Sequence, residues 1–86
     1  MRTSFEMRDA MRKQYKESTD EQQREEARRW LMDNDRAWLE QKDYNASKFR
    51  IQYKEPIDEA QREEARRWLK DNDRAWLERE DANQGA

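Results

Sequence analysis

Apolar positions recur with a helical period along most of the chain. Ala27, Trp30 and Leu31 fall on one stripe, Glu25 and Arg29 point away from it, and Arg24 and Arg28 flank it. The same spacing returns at Ala65, Trp68 and Leu69. Ahead of each stripe stands an N-cap, Asp20 or Asp58, followed three residues later by Gln23 or Gln61 at capping-box spacing. Pro56 lies just upstream of the second cap, where a helix has not begun. Behind each stripe, Asp33-Asn34-Asp35 and Asp71-Asn72-Asp73 interrupt the pattern, because these residues disfavour helix interiors and favour caps. The pattern predicts a helix ending at Asn34 and a short one, capped by Asp35, from Arg36 to about Lys42 with Trp38 and Leu39. The alternative is an unbroken helix from Glu21 to Lys42. A further helix is predicted at the start, where Thr3 and Glu6 form a capping box and Met7, Met11 and Tyr15 share a face. Its later counterpart carries Phe49, Ile51 and Tyr53, with Ser47 as cap.

These patterns repeat because the sequence repeats. Residues 24–40 match residues 62–78 at 16 of 17 positions, 38 residues apart, and residues 11–42 match 49–80 at 24 of 32. Such a unit folds as one supersecondary element stacked on its copy. In one continuous helix, at about 100° per residue, the two Trp-Leu pairs would face opposite sides. The chain is therefore expected to turn between copies, at Lys42–Ser47 or at Pro56. The resulting fold class is all-α: two tandem helical repeats, each a lead helix, a main helix and a short Trp-containing helix, packed as a small bundle. The expected divisions are a basic helix start at 1–10, a first repeat at 11–46, a second at 47–81 and a disordered tail at 82–86. Trp30, Leu31, Trp38, Leu39, Trp68, Leu69, Trp76 and Leu77 are the expected core.

Composition narrows the chemistry. Charged residues make up 47% and apolar ones 33%, a balance bordering on disorder, which the four tryptophans oppose. A core this thin gains from a partner, and a homodimer is one way to supply it. With no cysteine and no histidine there are no disulfides, thiolate nucleophiles, Cys/His zinc sites or His-based acid–base groups. The lone glycine, Gly85, rules out a Gly-rich phosphate loop. The Asp-Asn-Asp turns lack the further ligands, glycine and distal Glu of a calcium loop. The expectation is a protein with no enzymatic activity, no metal and no cofactor. No stretch has the apolar length of a membrane span, and "MRTSFEMRDAMRKQ" has no apolar signal core, so the chain reads as cytoplasmic.

The string Trp-Leu-x-x-x-Asp-Arg-x-Trp-Leu occurs at 30–39 and again at 68–77. It resembles a pattern in the target-site-selecting subunits (TnsD type) of cut-and-paste transposons, where a similar string closes small helical repeats that bind DNA. The resemblance covers about ten residues per copy. It implies structural roles for Trp30, Leu31, Trp38, Leu39 and their counterparts, and a structural or contact role for Arg36 and Arg74. The sequence departs from the family at Asn34 and Asn72, where histidine is frequent, and in its acidic surroundings.

Charge separates the functional readings. The chain is −2 overall, but residues 15–47 and 53–86 each carry −3 while 1–14 and 48–52 each carry +2. Phosphate binding needs a basic stripe. Possible nucleic-acid contacts are therefore Arg2, Arg8, Arg12 and Lys13, with Lys48 and Arg50. The duplicated arginines Arg24, Arg28 and Arg36, with Arg62, Arg66 and Arg74, sit among glutamates and suit carboxylates of a protein partner. Glu25–Arg29 and Glu63–Arg67 have the spacing of intrahelical ion pairs. The leading expectation is a protein-binding module (adaptor, regulator or inhibitor) with two equivalent helical faces, of a kind that suits a phage or mobile-element product. A DNA-binding accessory protein comes second and an architectural dimer or assembly piece third.

Overall fold

Asp20 opens its helix as the sequence predicts, its carboxylate accepting from the backbone N–H groups of Gln22 and Gln23. Asp58 does the same for Gln61 at 2.9 Å. These caps set the frame of the computed structural model, which describes residues 4–84 and contains five α-helices among them. They are α1 (Ser4–Glu17), α2 (Glu21–Asn34), α3 (Arg36–Lys54), α4 (Glu59–Asn72) and α5 (Arg74–Gln84). The chain is all-α and folds as a small bundle with extents of 46 × 25 × 16 Å. Thr3, half of the expected first capping box, lies outside the described residues.

The breaks at Asp35 and Asp73 occur as expected, each a single residue between two helices. Each closes the preceding helix with its N–H, donated to Leu31 or Leu69 at 2.7 Å, and its carbonyl starts the next by accepting from Leu39 or Leu77. Asn34 and Asn72 finish the caps, their Nδ2 groups donating to the carbonyls of Trp30 and Trp68 at 2.9 Å.

The expected turn at Lys42–Ser47 is not there. The Trp helix of the first repeat does not stop near Lys42 but runs on to Lys54 as the lead helix of the second, and the chain turns at Glu55–Asp58 around Pro56. Ser47 is no cap: its Oγ donates back to the Asp43 carbonyl at 3.1 Å inside α3. The cause is tertiary. Leu39, Ala46 and Tyr53, seven residues apart, are all buried, so one face of α3 serves both halves of the molecule. Likewise α5 continues to Gln84, three residues into the segment read as a tail.

Each sequence copy has its own small core. One gathers Tyr15, Ala27, Leu31 and Leu39, the other Tyr53, Ala65, Leu69 and Leu77, residues that correspond at the 38-residue offset. Leucines fill the centres and the tryptophans wall them in, all four only partly buried. Trp68 stacks on Phe49 with centroids 4.6 Å apart.

Candidate functional site

Asp35 and Asp73 begin helices, yet neither side chain caps one. Each turns to an arginine from the lead helix: Arg12 Nε donates to Asp35 and Arg50 Nε to Asp73, both at 2.6 Å. The same guanidinium groups cover Trp38 at 4.9 Å and Trp76 at 5.3 Å. Arg12 and Arg50, expected as nucleic-acid contacts, are thereby committed to internal carboxylates. Of the others in that set, Arg8 covers Phe5 at 4.6 Å, Lys13 is exposed, and Lys48 is exposed above Tyr44 at 5.2 Å. Arg2 lies outside the described residues.

A second network, absent from the sequence expectations, also occurs twice. Tyr15 donates its hydroxyl to Asp43, which receives Arg28 Nη2 at 3.4 Å. Tyr53 donates to Asp81, which receives Arg66 Nη2 at 3.3 Å. Each tyrosine meets a tryptophan edge to face, Trp38 at 6.4 Å and Trp76 at 6.2 Å. Burial first, then Asp43, pushes the Tyr15 phenol up to about 12, and burial raises Tyr53 as well. Burial pulls Arg28 down, but Tyr15 and Asp43 outweigh it and raise its pKa. Thus two of the arginines expected to meet a partner, Arg28 and Arg66, are tied within the chain. The internal identities Tyr15/Tyr53 and Asp43/Asp81 were the signal for this network, with the second pair one residue beyond the aligned stretch.

The two halves meet asymmetrically. Arg24, lying over the Tyr15 ring at 5.1 Å, reaches Asp73 of the second half at 3.6 Å. Arg79 approaches Glu21 at 3.8 Å. Lys42 donates to Asn72 and lies between Trp38 and Trp68, and burial, then Lys16 and Arg12, lower its pKa. Asp73 is consequently 2% exposed and Ala75 is buried, whereas their counterparts Asp35 and Ala37 are half-buried and exposed. Arg62, the counterpart of Arg24, covers Tyr53 at 5.3 Å and forms no ion pair among the described residues. Arg74 donates to the Lys70 carbonyl at 3.4 Å, and Arg36 is exposed at the start of α3. The Glu25–Arg29 and Glu63–Arg67 pairs do not form; all four side chains are exposed.

Opposite its buried stripe, α3 presents Tyr44 and Ile51, two turns apart and each 61% exposed. Arg36, Glu40 and Lys48 share that open face. Among the described residues no group of His, Cys, Asp or Glu side chains is placed to hold a metal ion, and no helix is long and apolar enough to cross a membrane. No protein-family model, curated protein or solved structure matches the chain.

Proposed function

We propose that the chain is a non-enzymatic protein-binding module whose recognition surface is the open face of α3. The observation that carries this is the exposure of Tyr44 and Ile51 on the helix that both cores hold in place. An aromatic and an aliphatic anchor on a rigid helix, ringed by charged side chains, have the composition of an interface centre with a polar rim. Arg36 and Lys48 at the edges add cations for a partner's carboxylates, and Arg36 supplies the fork suited to them. Arg24, Arg28 and Arg66 contribute less to this reading than the sequence implied, because acidic side chains of the chain itself engage them. The two halves then act as a frame rather than as two equivalent faces.

The test is capture from lysate of the native host by the parent chain and by a Tyr44→Ser/Ile51→Ser variant of unchanged helical content. The expected result is a partner held by the parent, lost by the variant and indifferent to nuclease. The same captured set with both proteins, or capture abolished by nuclease, would overturn the proposal and, in the second case, favour the DNA-binding alternative.

A further inference from the structure

Two parts of the joint between the halves, Arg24 and the Asp73 turn, each occur twice but are used once, whereas Lys42 and Arg79 occur once. One side is Arg24, within the segment Arg24–Arg29, repeated without change at Arg62–Arg67. The other is the Asp73 turn, within Asp71–Glu78, repeated without change at Asp33–Glu40. Inside one molecule the Arg24 side receives the Asp73 turn. Among the described residues, no carboxylate reaches Arg62 and no arginine but Arg12 reaches Asp35.

We infer that these two unused parts join between molecules: the Asp35 turn of one copy of this chain seats against Arg62 of another. Both surfaces are prepared for it. Arg62 rests on Tyr53 as Arg24 rests on Tyr15, at 5.3 and 5.1 Å, and opens onto a cleft of about 350 Å³ bordered by Glu59, Arg66 and Asp81. Asp35 receives Arg12 on Oδ2, as Asp73 receives Arg50 on Oδ2. In Asp73 it is the other oxygen, Oδ1, that meets Arg24, and in Asp35 that oxygen has no ion-pair partner among the described residues. The joint uses different surfaces on the two molecules. It is therefore heterologous, and association continues past the dimer unless a ring closes.

Three features make this joint weaker than the internal one. Glu80 stands where Lys42 stands, so the Lys42 contact with Asn72 and the two tryptophans has no equivalent. Gln41 stands where Arg79 stands, so the contact with Glu21 has no equivalent at Glu59. Two 38-residue offsets also place residues 80–84 of α5 level with residues 4–8 of a neighbour's α1. One of these turns must unwind. Asp81 is held by Tyr53 and Arg66, so it is the start of the neighbour's α1 that opens, and terminal turns open at little cost. Tyr44 and Ile51 lie on the same side of α3 as Ala37, but two turns or more beyond it, and the internal joint leaves Ala82, the counterpart of Tyr44, exposed, so the inference does not rest on them.

The experiment is sedimentation equilibrium of the full chain over a wide concentration range, with Arg62→Gln, Gln41→Arg and Tyr44→Ser/Ile51→Ser variants whose helical content matches the parent. The parent's weight-average mass should climb beyond twice the monomer, levelling only at a closed ring of three or more copies. Arg62→Gln should weaken association about tenfold, the equivalent of one charge-assisted contact. Gln41→Arg, on an exposed position, should strengthen it by a factor of about two to three. The α3 double variant should follow the parent curve. A parent that stays monomeric throughout, a plateau at the dimer, an Arg62→Gln curve equal to the parent's, or association lost in the α3 variant would each overturn the inference.

Discussion

Replacing Asp73 by Asn, and separately Asp35 by Asn, measures the joint between the halves against an internal control. Both aspartates accept one arginine Nε at 2.6 Å and sit at the same place in the repeat. They differ in Arg24, which reaches Asp73 at 3.6 Å, and in burial, Asp73 being 2% exposed. A hydrogen bond to a charged group contributes about 1.5–3 kcal/mol. Arg12 and Arg50 are partly solvated, which puts the shared contact near the lower end, so Asp35→Asn should cost about 1.5 kcal/mol. Asp73→Asn leaves two guanidinium groups without their common counter-charge, and removing one partner of a buried pair costs about 3–5 kcal/mol. With Arg50 partly exposed, about 3 kcal/mol is the expected cost. A slope of roughly 1 kcal/mol per molar urea for a chain of this size turns these into midpoint shifts of about 3 M and 1.5 M. Urea titrations followed by far-UV circular dichroism read both. Equal shifts for the two variants would refute the reasoning, since they would mean that Arg24 and the burial of Asp73 add nothing.

Alkaline pH should weaken the fold through Tyr15. Its folded pKa of about 12 lies above the ordinary value of 10.0, so the stabilisation is complete below pH 10 and is lost as pH rises through 12. Two units correspond to on the order of 2–3 kcal/mol, partly offset by Lys42, whose lowered pKa favours the folded state as it deprotonates. Urea midpoints measured from pH 9 to 12 should fall for the parent and fall much less for Tyr15→Phe. Tyr53→Phe should cost about 1 kcal/mol at neutral pH, because Asp81 keeps Arg66 and loses only the phenol; thermal melts check this. Trp68→Ala, which removes the ring stacked on Phe49, should cost about 3 kcal/mol, the low end for a large aromatic because the ring is only partly buried; an unchanged melting temperature would contradict its placement in the core.

What could be read from the sequence was local. Asp20 and Asp58 as caps, the breaks at Asp35 and Asp73, and the leucine centres followed from spacing and from short polar side chains near a helix end. What could not be read was where those side chains spend their bonding. Asp35 meets Arg12 and Asp73 meets Arg50 across 23 residues, and Tyr15 meets Asp43 across 28, distances that no helical period reports. The continuity of α3 was hidden for a related reason. Asp43, Asn45 and Ser47 are weak helix formers, but Asp43 is held by Tyr15 and Arg28 while Ala46 is buried beside it. Tertiary contacts there override a propensity difference of a few tenths of a kcal/mol per residue. The arginines looked available because their charge, and not their partners, is visible in the sequence.

Because α3 carries Leu39 for one core and Tyr53 for the other, it acts as a ruler between them. A single residue inserted between these positions would turn the second core by about 100° and move it about 1.5 Å along the axis. Seven inserted residues would nearly restore the direction but carry Asp73 about 10 Å away from Arg24. Length and phase are therefore fixed together. Growth or loss within α3 is closed to this chain, and tolerated insertions belong at the Ser18–Asp20 and Glu55–Asp58 turns, where no shared helix has to keep its pitch.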